Sequence, residues 1–298
     1  MPAEALDHST TPTLTLDAST GPGAPDLRLT VIEPPAGRVR LNLGELWLYR
    51  DLLMLLIWRD VSARYRQSII GYGWAIIKPL VSMIIFTVIF GWLAKMPSDD
   101  APYAIFSFAA LMPWMYFSGA LSSVTTSVVG AGSLLTKAYF PRLILPLTGV
   151  AVGLAEMAIQ GVILGLLMAW YRFVPGWQIV LVPVWVLLCV FTALAFGLWL
   201  TALNVKYRDV GMAVPFFLQA WMYLCPIIYP SRIIPDKWRI LYGLNPMVGV
   251  IEGFRWSILG MAPPDWTMIS VSFVVVTAIF VGGLYYFRTM EATFADVI

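Results

Sequence analysis

The sequence predicts an all-α integral membrane protein with about six transmembrane helices per subunit, and three observations lead there. Of 298 residues, 59% are hydrophobic and only 12% charged, with a mean hydropathy of +0.79. A soluble domain carries roughly a quarter charged residues, so too little polar surface is available here to cover a water-soluble globule. Apolar runs near the ~20 residues needed to cross hydrocarbon recur along the chain, separated by short polar or proline-containing breaks. Lys and Arg are also distributed unevenly between alternate connections, as in multi-pass proteins.

Residues 1–40 are rich in Thr, Pro, Ala, Asp and Gly and lack the apolar core of a cleavable signal peptide. They are expected to form a disordered polar cytoplasmic tail. Residues 41–298 are expected to form one transmembrane domain. Its first part, 41–73, reads as an interfacial amphipathic helix and elbow. Leu41 to Trp58 is interrupted by Glu45, Arg50 and Asp51, and Trp47, Tyr49 and Trp58 suit a half-wet position. Spans are expected at about 74–94, 103–129, 143–171, 179–203, 212–229 and 268–287, with Lys78 near the start of the first free to snorkel. Between the last two, Trp238–Leu244 and Pro246–Leu259 are each too short to cross. Residues 231–259 are therefore read as re-entrant half-helices. The alternative, a seventh span, would place Glu252 and Arg255 in lipid.

With the N-terminus inside, 13 of the 19 Lys and Arg fall on inner segments and 6 on outer ones. The excess favours both termini in the cytoplasm. A net charge of +2 without a basic, aromatic-threaded stripe excludes a nucleic-acid partner. Cys189 and Cys225 lie in apolar segments and read as small packing residues. The one histidine, His8, is in the tail, so no metal site is expected. Neither a GxxxxGK[ST] phosphate loop nor an HExxH or GxSxG motif is present, and no catalytic residue is assigned.

Within the spans the one deep carboxylate is Glu156, with Gln160 one turn on. It reads either as a hydrogen-bonding partner for a neighbouring helix or as part of a transport path. Gly149-x-x-x-Gly153 and Gly161-x-x-x-Gly165 in span three permit close helix approach. Trp114, Tyr116 and Phe117 in span two, with Trp221, Tyr223 and Tyr229 around span five, are either an interfacial belt or a channel lining on which sugar rings slide. Two inner connectors mix aromatic and charged residues: Lys137-Ala138-Tyr139-Phe140-Pro141-Arg142 and Tyr207-Arg208-Asp209. They suit docking on a soluble partner, the aromatics as anchors and the charges setting orientation. Charges that merely set topology are the alternative.

These segments also carry a resemblance. Trp58-Arg59-Asp60 with Arg64-Tyr65-Arg66-Gln67, Gly71-Tyr72-Gly73-Trp74 and Lys78-Pro79 resemble the start of ABC-2 type permeases of the polysaccharide and polyol-phosphate export branch. So do the two connectors, Leu244-Asn245-Pro246-Met247, and the ending Phe287-Arg288 with Glu291–Asp296. The likeness runs from about residue 45 to 298 and is nearest to the O-antigen export permeases of the Wzm group, with capsule and teichoic-acid permeases as relatives. It implies a homodimer of six-helix subunits in the bacterial inner membrane, paired with two copies of a separate ATPase that carries ATP and Mg; no cofactor is expected in this chain. It further implies a glycan on undecaprenyl diphosphate as cargo. Lys137, Tyr139, Phe140, Pro141 and Arg142, with Tyr207, Arg208 and Asp209, would couple to the ATPase. Asn245, Pro246, Glu252 and Arg255 would belong to a periplasmic gate.

Charge placement adds one expectation. Arg59, Arg64 and Arg66 at the inner interface are placed to meet a lipid diphosphate, since guanidinium pairs bidentately with phosphate; anionic head groups are the other possible partner. A membrane-embedded glycosyltransferase or ion-coupled flippase is the competing class, and it would need a buried ionisable network beyond Glu156.

Overall fold

The computed structural model describes residues 43–65, 71, 73–98, 101–135, 137, 139–260, 263–291 and 294. The tail at 1–40 and Arg66 lie outside the described residues, as do Tyr72 and Ala138. Among those described, the chain is helical throughout, without strands. Two short helices, α1 (Leu43–Leu48) and α2 (Arg50–Tyr65), precede α3 (Gly73–Phe86), which continues as a π-helical stretch over Thr87–Leu93. Then come α4 (Tyr103–Gly130), α5 (Gly132–Leu135), α6 (Ile144–Trp170), α7 (Val182–Lys206) and α8 (Asp209–Tyr223). The last three are α9 (Asp236–Gly243), α10 (Pro246–Leu259) and α11 (Trp266–Glu291).

Among the described residues, five segments are long and apolar enough to cross a membrane: Gly73–Leu93, Tyr103–Gly130, Ile144–Trp170, Trp177–Lys206 and Trp266–Glu291. They coincide with five of the expected spans. The remaining one, 212–229, is only partly helical. With 15 residues α8 rises about 22 Å, short of the ~30 Å hydrocarbon thickness. Pro226 disfavours helix at the residue before it and cannot donate to the preceding turn, so the crossing finishes as irregular chain over Leu224–Pro230.

The two half-helices follow one another across a tight turn as a hairpin, and both pack on α11. Gly243 at the end of α9 lies against Met268 of α11, and Ser272 Oγ donates to the Gly243 carbonyl at 2.8 Å. Asn245 then caps α10: its side chain accepts from the Met247 amide at 3.2 Å, Pro246 occupies the first turn, and Gly260 closes the far end at φ 65°. α10 is buried on nearly every residue, packed among α4, α7 and α11. That enclosure explains why an apolar stretch too short to cross carries both Glu252 and Arg255: they face protein, not lipid.

Two clusters of apolar side chains organise the bundle. The larger surrounds α4 and includes Phe106, Phe117, Trp185, Ile251 and Phe254. The smaller sits where α4 ends and α6 begins, joining Leu56 of α2 to Val128, Phe140, Leu145, Val205 and Phe287. α2 is thus not isolated. It packs along the first half of α6, with Leu56 only 3% exposed while Trp47, Met54, Leu55 and Trp58 stay outward.

Close approach is bought with glycine at defined points. A Cβ on Gly149 would lie 3.1 Å from the Val124 backbone, so α4 and α6 touch there, as the first GxxxG pair predicts. Of the second pair, Gly165 has open space where a Cβ would go. At Gly253 a Cβ would sit 2.4 Å from the Trp185 ring. That ring cannot easily withdraw, since its Nε1 donates to Ser257 Oγ at 2.7 Å. Gly253→Ala should therefore cost about 1–3 kcal/mol through overpacking, read as a lower melting temperature in detergent. An unchanged value would mean that Trp185 moves aside freely.

Candidate functional site

Three groups of candidate residues occupy distinct parts of the bundle. The first is the pair of connectors at the α4/α6 and α7/α8 junctions. Tyr139 and Tyr207 project outward, 67% and 54% exposed, and Lys137, Arg208 and Asp209 are exposed beside them. Phe140 and Pro141 point the other way, into the smaller cluster. Arg142 is half-buried: its amide donates to Glu291 Oε1 at 3.2 Å and its guanidinium lies 5.8 Å from the Phe294 ring. Glu291 is held in turn by Arg288 at 2.8 Å. The end of α11 thus braces the first connector from behind, leaving Tyr139 outermost.

Asn204 organises the second connector. Its Nδ2 donates to the Thr125 carbonyl at 3.0 Å, and its Oδ1 accepts from the Gly211 amide at 2.8 Å. Gly211 is in the first turn of α8, where backbone amides lack helical partners, so Asn204 caps α8 across the connector while tying it to α4. Thr201 adds a second tie, its hydroxyl donating toward the Val124 carbonyl at 2.7 Å. An Asn three positions before the aromatic-charged turn that opens at Tyr207 was the available signal for this role.

The second group is the arginine set near α2. Arg59 and Arg64 do not act on one point. Arg59 Nε pairs with the adjacent Asp60 at 2.8 Å, while Arg64 Nη1 reaches Glu156 of α6 at 2.8 Å. Glu156 thus finds its partner on a neighbouring helix, the plainer of the two expectations for it. Around this ion pair lies a cavity of about 600 Å³ lined by Trp74 and Lys78 of α3, Ser118 of α4, and Gln160 of α6. The cations there are Arg64 and Lys78; Gln160 is 5% exposed, and its Oε1 has no hydrogen-bond partner among the described residues. Lys78 and Gln160 become site residues only once α2, α3 and α6 converge, although the Glu156/Gln160 spacing already placed two polar groups on one helical face.

The third group joins the expected channel aromatics to the gate residues. Trp114, Tyr116 and Phe117 are buried inside the subunit. Trp221 packs edge-on against Phe117 and Phe196 at 5.2 and 5.0 Å, and the Tyr116 hydroxyl donates to the Val150 carbonyl at 3.1 Å. These rings serve packing between α4, α6, α7 and α8. Tyr223 is 58% exposed; Tyr229 is half-buried, its hydroxyl 3.2 Å from that of Tyr242. Trp221 Nε1 also donates to Asn245 Oδ1 at 2.9 Å, which links the aromatic cluster to the hairpin. Arg255 spans the break after α8. It donates to the Pro226, Ile227 and Tyr229 carbonyls, pairs with Glu252 at 3.3 Å, and lies 3.9 Å from the Phe106 ring. Pro246 is buried at the start of α10.

Along this same stretch, residues 51–259 match the ABC-2 type transporter family. The chain belongs to that family. It is similar to the O-antigen export system permease protein RfbA of Myxococcus xanthus, 29% identical over 256 residues, covering 85% of this chain and 98% of that protein. A protein of the same name from Klebsiella pneumoniae is 26% identical over 88% of this chain and 99% of its own length. The polysialic acid transport protein KpsM of Escherichia coli is 24% identical over 79% and 92%. As an ABC-2 permease the chain is a membrane-spanning transport protein, and both connectors, the cavity and the hairpin fall within the matched residues.

Asn204→Ala would leave the Gly211 amide without its cap, a loss of about 1–2 kcal/mol. Hydrogen exchange should quicken over residues 207–212 while α4 stays protected. Unchanged exchange there would show that the connector does not depend on Asn204.

Proposed function

We propose that the chain is the channel-forming transmembrane subunit of an ATP-driven exporter moving undecaprenyl-diphosphate-linked polysaccharide from cytoplasm to periplasm. O-antigen is the preferred cargo. The observation that carries this is the likeness over 98% of the length of an O-antigen export permease. Likeness to a polysialic acid transport protein keeps capsule as the second candidate.

The geometry supports a division of labour. Tyr139 and Tyr207 stand out from one end of the bundle on connectors whose inner faces are packed, so force on them would pass into α4, α6, α7 and α8 rather than bending a loose loop. A separate ATPase carrying ATP and Mg would dock here, two copies on a homodimer of this chain, with both termini cytoplasmic and the protein in the bacterial inner membrane. Residues 41–298 would be the transmembrane domain. The hairpin at 231–259, with Asn245, Pro246, Glu252 and Arg255, would be the periplasmic gate. Arg64, at the cavity, would receive the lipid diphosphate, with Arg59 and Arg66 of the same sequence segment as the other candidates for that entry role.

Sugar contact in this scheme falls to the more exposed aromatics, Tyr223 above all, because rings already stacked in a core have no free face to offer. Weak, repeated contacts suit a long chain that must move without sticking.

The test is ATP hydrolysis by the permease co-expressed with its candidate ATPase, in lipid. Tyr139→Ala should weaken association about tenfold, as truncation of an interface tyrosine does, with the permease fold intact. Absence of association with any ATPase would overturn the scheme in favour of a stand-alone transporter. In cells, Arg64→Ala should abolish surface glycan while the complex still assembles; normal export would remove Arg64 from the cargo path.

A further inference from the structure

The cavity beside the Arg64–Glu156 ion pair contains more chemistry than a phosphate requires. Phosphate oxygens only accept hydrogen bonds. Arg64 and Lys78 supply donors and positive charge for them. Glu156, by contrast, is itself an acceptor and an anion, and would repel a phosphate that met it directly. Gln160 presents a buried carbonyl oxygen with no partner among the described residues. Buried acceptors left unpaired are costly, and the complementary ligand group is a donor, which a diphosphate does not have.

We infer that this cavity reads the first sugar of a lipid-linked glycan together with its phosphate: Lys78 and Arg64 take the phosphate, and Gln160 Oε1 and Glu156 take sugar hydroxyls. Hydroxyl groups donate as well as accept, so they satisfy both acceptors without adding negative charge. Ser118, which already donates to the Met115 carbonyl at 3.1 Å, offers its oxygen as a further acceptor. Trp74, 42% exposed on the cavity wall, offers an apolar indole surface to a pyranose. A volume of about 600 Å³ lies within the usual range for a small-molecule site. The site therefore recognises a glycosyl phosphate, in preference to a bare lipid phosphate. The inference rests on the reading of the chain as an exporter of diphosphate-linked glycan and adds what the cargo must carry to be admitted.

The experiment uses the full-length permease in phosphatidylcholine nanodiscs, with binding followed by native mass spectrometry. Three lipids are compared: undecaprenyl diphosphate, the same lipid carrying one hexose, and phosphatidylglycerol. The hexose-bearing lipid should bind about fivefold or more tightly than the bare diphosphate, the scale of one or two added hydrogen bonds. Gln160→Leu should remove that preference and leave bare diphosphate binding unchanged. Lys78→Ala, at an exposed position where folding is not at risk, should weaken both diphosphate lipids about tenfold. Equal affinity of the unaltered protein for the two diphosphate lipids, or a preference that survives Gln160→Leu, overturns the inference and leaves the exporter reading standing. Failure of either diphosphate lipid to exceed phosphatidylglycerol overturns both, making the cavity a site for ordinary membrane head groups.

Discussion

Beyond the end of α8 at Tyr223, the carbonyls of Pro226, Ile227 and Tyr229 have no helical partners in a buried stretch, and the Arg255 guanidinium takes them up. Non-helical backbone at membrane depth persists only where protein satisfies it. Pro226 and Pro230 rule out a helical solution, so a donor must come from elsewhere in the chain. Arg is suited because its planar fork serves several carbonyls at once. Delivering it requires α10 to run inside the bundle, and that in turn requires small residues on α10 where neighbours press. Gly249 meets Ser272 and Gly253 meets Trp185 at distances no larger side chain would tolerate. The charge itself is kept affordable by Glu252 and by the Phe106 face. One broken crossing thus dictates the position of the hairpin, the choice of residues along it, and the burial of a cation.

The opposite end of the bundle meets a different requirement. A connector that is to pass force to the spans, as proposed for these two, must be rigid behind and exposed in front. Phe140, seated with Leu56, Leu145 and Phe287, and the buried Pro141 next to it are the rigid side. Glu291 and Phe294 extend that support to Arg142 from the end of the last helix. On the second connector Asn204 does equivalent work with two hydrogen bonds. The exposed tyrosines gain their definition from these buried partners, since an aromatic on an unbraced loop would lose much of its binding free energy to ordering.

The fold was legible in the sequence to the extent that hydrophobic length determines it. Five crossings follow from apolar runs that only a helix can satisfy in lipid, and the shortness of Pro246–Leu259 correctly argued against a lipid-facing span there. The end of α8 was less legible, because apolarity continues through Ile227 and Ile228 after the helix has stopped. Hydropathy does not register hydrogen-bond geometry; the two prolines did. The outward position of Tyr139 and Tyr207 was legible because aromatics set among charges in a short turn have little apolar surface to pack against. Trp114, Tyr116 and Phe117 were ambiguous for the reverse reason: an aromatic that packs a core and one that lines a passage have the same composition. Pairing of Arg64 with Glu156, 92 positions away, follows from packing of α2 along α6, which no local pattern encodes.

On the proposed reading, that ion pair links the fold to transport. The pair is about a third exposed on both sides, so it can be opened without leaving a fully buried charge behind. An arriving anion can therefore engage Arg64, provided Glu156 receives compensation at the same moment. Lys78 and a hydrogen-bond donor on the ligand are the two groups that supply it. A ligand offering charge alone would compete with Glu156 for Arg64, whereas one offering charge and hydroxyls would return a hydrogen bond to the carboxylate and exchange with less net cost. Such exchange binds selectively without binding tightly, because the protein regains its internal pair when the ligand moves on. For a site that, as proposed, must release each molecule it accepts, a competing internal carboxylate is therefore an asset.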